Sequence, residues 1–193
     1  MTRGEDRREI RDVRALGALA HPVRSALLSH LMAVGPRTAT ECAGAVGASA
    51  SNCSWHLRQL ARFGFVERAG EAADGRERPW QAAATGFDFS PAGQADEPAV
   101  RAAAQTLAAV QLDEEHRLAR RYLRGEEEQP AEWRRSAGLS SYELLLTAAE
   151  LRELGARLDA AIRPFVALTR NDAPDGARPV HLFVAGYLHP EES

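Results

Sequence analysis

Apolar residues recur three and four apart along most of this chain, and the breaks in that rhythm fall at Gly, Pro and short polar residues. Ile10, Val13, Leu16 and Leu19 lie three apart, with Arg8, Arg11, Asp12 and Arg14 on the remaining surface, which predicts an amphipathic helix. His21-Pro22 interrupts it, and a proline tolerated in the first turn launches a second helix. That helix turns Val23, Leu27, Leu28 and Leu31 inward and stops near Gly35-Pro36. Thr38 or Thr40 can cap a short third helix through Val46. Gly47 then turns the chain, and Ser49 is placed to cap a fourth helix that ends before Gly64. The prediction is helix, tight turn, helix.

Phe65, Val66 and Arg68 read as a strand, Gly70 to Gly75 as a polar turn, and Arg78 to Ala84 as a returning strand. Residues 86–98, with Pro91, Gly93 and Pro98, read as a linker. A long helix then runs to about Arg124 with a narrow seam at Val100, Ala103, Leu107 and Val110, where a second copy of the chain could pack. Gly125 to Pro130, with three consecutive Glu, breaks it. A short strand at Tyr142 to Leu146 leads into Thr147-Ala148-Ala149-Glu150, which has the spacing of a capping box. The helix that follows keeps Leu151, Leu154, Leu158, Ile162 and Phe165 on one face to about Leu168, and Val180 to Leu188 reads as a last strand.

Composition narrows the class. Of 193 residues 45% are hydrophobic and 6% aromatic, enough for one moderate core plus a smaller module built mainly of helices. The expected fold is mainly α with α+β elements: a winged helix-turn-helix domain at 1–90, a linker and long dimerisation helix at 91–130, and a strand-helix-strand unit at 131–193. Net charge is -3, but residues 1–90 hold twelve Arg against ten acids while residues 91–193 hold twelve Arg against seventeen. Positive charge is therefore in excess only in the N-terminal part. No apolar run approaches the length of a membrane span, so the expectation is a cytoplasmic protein with no membrane partner. Cys42 and Cys53 are too few for a disulfide framework and are expected to be reduced.

The fourth helix carries the candidate chemistry. On a wheel of about 100° per residue, Cys53, Leu57 and Leu60 share one face. The opposite stripe is Ser51, Trp55, Arg58 and Arg62, flanked by Asn52, Gln59 and Ser54. A major groove roughly 12 Å wide admits one helix, and Arg, Asn, Gln and Ser are the side chains that read base edges there. No acid lies between Glu41 and Glu67 to repel phosphate. A solvated helix face would carry the same two arginines. The Gly turn, the cap and the following hairpin favour a DNA-reading helix. Trp55 has two open readings, stacking against DNA or packing on a neighbouring helix. His56 sits at the core boundary and reads as a buried ring bonded to backbone. In the hairpin, Arg76 and Arg78 flank Glu77 and are the residues a wing would bring to the minor groove or its phosphates.

Leu19-Ala20-His21-Pro22-Val23-Arg24, Ser49 through Leu60, Gly64-Phe65-Val66 and Gly75-Arg76-Glu77-Arg78-Pro79-Trp80 resemble the corresponding segments of the ArsR-type winged-helix regulators over about residues 10–90. The resemblance implies a homodimer that binds double-stranded, pseudo-palindromic operator DNA, with repression as the usual outcome. It also implies control by an effector that prefers one of two conformations. Metal-sensing relatives often pair cysteines in the helix before the recognition helix; here Cys42 is followed by Ala43-Gly44-Ala45. The interface alternative is reduced to Asp113 and His116, too few for Zn or arsenic. No metal and no cofactor is therefore expected. A small-molecule effector could meet Tyr142, His181, Phe183 and Tyr187, although aromatics on short strands more often form core. Two other classes compete: a winged helix used for protein contacts, and an enzyme. The second lacks a phosphate loop, a Gly-framed serine nucleophile or a metal-ligand cluster.

Overall fold

Asp12 opens the first helix by accepting the Arg14 amide at 3.0 Å, and α1 spans Val13–Leu19 in a computed structural model that describes residues 7–10, 12–70, 77–88, 97–166 and 173–189. The helix starts three residues later than the Ile10 spacing predicts. The residues before it form strand β1, Arg7–Glu9, instead. Ile10 still enters the core, 8% exposed, from the link between the two elements. α2 spans Pro22–Val34 with His21 as its cap, the imidazole Nδ1 accepting the Val23 amide at 3.2 Å. α3 spans Ala39–Val46, capped by Thr38. The Glu41 carboxylate reaches back to the Thr38 amide at 2.7 Å, so two otherwise orphaned donors are satisfied reciprocally. Gly47 closes α3 at φ 68°, ψ 35°, a left-handed conformation that costs glycine nothing. Ser49 then caps α4, Ala50–Arg62, by accepting the Asn52 amide at 3.2 Å.

β2, Val66–Arg68, and β3, Trp80–Ala82, pair antiparallel with Val66 opposite Ala82 and Arg68 opposite Trp80. Arg37 adds a bridge on the far side of β3, exchanging hydrogen bonds of 2.9 and 2.7 Å with Trp80. The strands are shorter than the sequence implies, because only these residues exchange ladder bonds, and the turn at 71–76 lies outside the described residues. Residues 86–98 are not all linker: Gly86–Asp88 form β4, which pairs in parallel with β1. That pair ties the N-terminal end of the domain to the segment leaving the hairpin.

The chain divides into two units, Met1–Glu114 with Val166–Val180 and Glu115–Phe165 with His181–Ser193. In the first, Leu16, Leu19, Leu27, Leu31, Leu57 and Phe65 are essentially inaccessible and form one cluster. Phe65 meets Phe87 edge to face at 5.2 Å. Each such side chain contributes about 1.5–3 kcal/mol by leaving water. α5, Pro98–Arg124, joins this cluster through Val100 and Leu107. The apolar seam predicted to face a second copy is therefore largely occupied inside the chain's own core. Val110 is only half-buried, and Leu112 and Leu123 are exposed.

After α5 come a short 3-10 turn at Glu126–Glu128, helix α6 at Ala131–Ser136, which the charge-run reading did not anticipate, and helix α7 at Ala148–Ile162. Thr147 and Glu150 make the expected capping box, with bonds of 2.8 and 3.2 Å. α7 gives way to a 3-10 turn at Arg163–Phe165 rather than continuing to Leu168, since Pro164 has no N–H to donate; Leu168 itself lies outside the described residues. The two flanking strands are not formed. Tyr142–Leu146 and Val180–Leu188 carry no ladder among the described residues. No described residue beyond Leu107 is buried.

Candidate nucleic-acid interface

α4 owes its orientation to its own two faces. Cys53, Leu57 and Leu60 are wholly inaccessible and His56 is 5% exposed, so that face is held in the core formed with α2 and α3. Ser51, Asn52, Trp55, Arg58 and Arg62 consequently stand outward, all exposed, with Ser54 and Gln59 half-buried beside them. Rotating the helix to hide the arginines would expose three core residues at about 1.5–3 kcal/mol each.

The outward groups are held by neutral neighbours. Arg58 donates to the Ser54 hydroxyl at 2.8 Å and Arg62 to the Gln59 carbonyl oxygen at 3.4 Å. Neither makes an ion pair among the described residues, so both guanidinium groups keep their charge and most of their donors for a partner. Ser51 lies 3.1 Å from the Ser49 hydroxyl at the helix start. Trp55 is 50% exposed and meets the His56 ring edge-on at 4.8 Å, so it packs locally against one neighbour and presents its remaining face outward.

At the wing, Arg78 is exposed and donates to the Gly70 carbonyl at 2.5 Å, which closes the base of the hairpin. Arg76 lies outside the described residues. Arg68, legible in the sequence only as a strand residue, has a further role at the wing base. It stacks on Trp80, 3.8 Å from its guanidinium carbon to the ring centroid, and donates to the Arg78 carbonyl. Its position directly across the ladder from Trp80 sets this contact. The Arg68 guanidinium is held below its ordinary pKa, first by burial and also by the charges of Arg78 and Arg58, with Glu77 opposing. Thr40 on α3 holds Glu77 at 3.5 Å.

Gly64 follows α4 at φ 70°, where a Cβ would stand 2.5 Å from the Arg8 guanidinium. Arg8 donates to the Gly64 carbonyl at 2.9 Å, so the end of the helix is pinned by β1. An open groove of about 580 Å³ lies there between Arg8, Asp12, Ala61 and Arg62.

Behind α4, Cys42 and Cys53 are free and inaccessible. Burial first, then the neighbouring Cys53 and Glu41, push the Cys42 thiol up to about 11, and burial also raises Cys53. Both are poor thiolates at neutral pH. Among the described residues no group of three His, Cys, Asp or Glu is placed to hold a metal ion, and no helix is long and apolar enough to cross a membrane.

Residues 19–69 match the family model of a helix-turn-helix domain. The match begins at the end of α1, contains α2, α3 and α4, and stops one residue after β2. That segment is similar to helix-turn-helix domains, and the antiparallel hairpin behind it completes a winged-helix layout. No curated protein matches the chain.

Proposed function

We propose that this protein is a sequence-specific transcription factor, a dimeric repressor of ArsR type. It lays α4 into the major groove of a pseudo-palindromic operator and sets its wing against the adjacent backbone. The observation that carries this reading is the outward stripe of Ser51, Asn52, Trp55, Arg58 and Arg62, fixed by the buried face behind it. Arg58 and Arg62 are the base- and phosphate-reading groups, Ser51, Asn52 and Ser54 sit near the helix start where base edges are met, and Arg76 and Arg78 serve the wing. Two copies would place their helices in half-sites one turn, roughly 34 Å, apart. A small-molecule effector would act by binding the DNA-competent and DNA-incompetent conformations unequally.

The test is selection of bound fragments from genomic DNA, followed by titration of the recovered site. Arg58→Ala and Arg62→Ala should each weaken binding by roughly 5- to 150-fold, the equivalent of about 1–3 kcal/mol, with the helical circular dichroism unchanged. Where the lost contact is to phosphate, the slope of log K against log salt should fall by about 0.9. Unchanged affinity in both variants refutes the assignment.

The half-exposed Trp55 favours one second reading, a winged helix that docks a protein partner. Failure to retain any DNA at low salt would select that reading.

A further inference from the structure

Trp55 is the one apolar side chain on the outward stripe of α4, and the fold builds a support beneath it. Its ring meets the His56 ring edge-on at 4.8 Å, and His56 in turn meets the His21 ring at 4.6 Å. His56 is 5% exposed and lies on the buried face of α4, so the space beneath the indole is filled. Burial first, and then His21 and Arg24, hold the His56 imidazole below its ordinary pKa, so the ring that supports the indole is uncharged at neutral pH. The indole is left 50% exposed, with on the order of 100 Å² of largely apolar surface turned outward. A single exposed apolar residue is ordinary on a protein surface. This one is propped from behind and stands near the middle of α4, between Ser51 one turn before it and Arg58 and Gln59 one turn after.

The chemistry of the major groove selects what such a group meets. Thymine alone among the four bases presents a methyl group there, next to an acceptor oxygen on the same base. Serine, arginine and glutamine on either side of Trp55 answer polar base edges. The indole, an apolar plate with a single N–H donor, answers a methyl group with an acceptor beside it. We propose that Trp55 reads the 5-methyl group of a thymine in each operator half-site, a reading that rests on α4 being the DNA-reading helix. Three residues of helix, about 4.5 Å of rise, separate Trp55 from Arg58, and base pairs repeat about every 3.4 Å. The thymine therefore lies within about two base pairs of the base that Arg58 meets.

The experiment uses the full chain and the operator recovered from genomic DNA. Each thymine of one half-site is replaced in turn by deoxyuridine, which removes the methyl group and leaves every base hydrogen bond in place. At one position the affinity should fall about fourfold, the equivalent of about 0.8 kcal/mol for one buried carbon. Trp55→Ala should weaken binding to the thymine operator and lose its sensitivity at that position, while responding to deoxyuridine elsewhere as the wild type does. Trp55→Phe keeps an apolar ring and should keep the sensitivity. Circular dichroism of both variants should match the wild type, since the side chain is half exposed.

A loss of equal size in the wild type and in Trp55→Ala would assign the methyl effect to the DNA itself and overturn the proposal. So would binding that no deoxyuridine alters, or a half-site with no thymine within two base pairs of the position that Arg58→Ala affects. Full operator affinity in Trp55→Ala also overturns it, leaving DNA reading intact and the indole free for a protein partner. If no DNA is retained at low salt, the DNA reading of α4 falls and this inference falls with it.

Discussion

α3 and α7 begin alike and end in different surroundings. Thr38 and Glu41 close one helix start, Thr147 and Glu150 the other, with the same pair of reciprocal bonds and nearly the same distances. In both cases the hydrogen bonds to threonine hold the glutamate carboxyl below its ordinary pKa. Yet α3 buries Ala39 and Cys42 in a continuous core, whereas α7 buries nothing. Local chemistry sets where a helix starts. What the helix is worth depends on the surface it meets, and the first unit meets its own chain while the second presents an uncovered apolar face.

The sharpest way to break that contrast is to delete apolar mass from each unit. Leu57→Ala empties a fully buried site shared by α2, α3 and α4 and should destabilise the first unit by about 2–5 kcal/mol, seen as a lower urea midpoint. Leu145→Ala should leave that midpoint within about 0.5 kcal/mol of wild type, because the residue touches nothing within the chain. Equal losses at the two positions would show that the second unit is packed on its own.

The same contrast governs what the sequence reveals. α4 is legible because its apolar period, its Ser49 cap and the Gly64 stop agree over thirteen residues, and the buried set Cys53, Leu57 and Leu60 follows from that period alone. Val100 and Leu107 are legible as apolar but not as to owner, since a heptad-like seam looks the same whether it meets its own core or another copy. The parallel pair of β1 and β4 has no signature: three residues, Arg7-Arg8-Glu9, show no alternation, and the partner strand is far along the chain. Tyr142–Leu146 and Val180–Leu188 fail for the opposite reason. Their short apolar runs are strand-like, but a strand needs an edge to pair with, and no pattern within the chain specifies one. Arg68 is missed because its role comes from Trp80 across the ladder.

Caps give a smaller and more symmetrical test. Thr38→Ala and Thr147→Ala each remove the acceptor for one helix-start amide, at about 1 kcal/mol of helix stability. In the first unit that loss should lower the cooperative unfolding midpoint, because α3 is packed between α2 and α4. In the second it should speed hydrogen exchange in the first turn of α7 and leave the midpoint of the first unit unmoved. A midpoint shift from Thr147→Ala would mean that the two units unfold together.

The smallest effect expected is a pH dependence peculiar to the first unit. His21, His30 and His56 are all held below the usual imidazole pKa of 6.5, burial being the main cause in each. The Arg24 charge adds to the first and third, and Arg37 to the second. His21 and His56 also face each other, with ring centroids 4.6 Å apart, and each proton would arrive beside Arg24. At pH 8 the folded and unfolded chains both carry these rings neutral, and stability from this source is complete. As pH falls through 6.5 the unfolded chain takes up protons that the folded chain resists, so the urea midpoint should drop and then level once the folded imidazoles titrate. Protonation also removes the Nδ1 lone pair with which His21 caps α2. His21→Asn keeps a capping acceptor and cannot titrate, so its midpoint should fall less between pH 7 and 5 than the wild type's. Parallel pH profiles for the two proteins would show that the paired histidines do not couple protonation to the helix-turn-helix core.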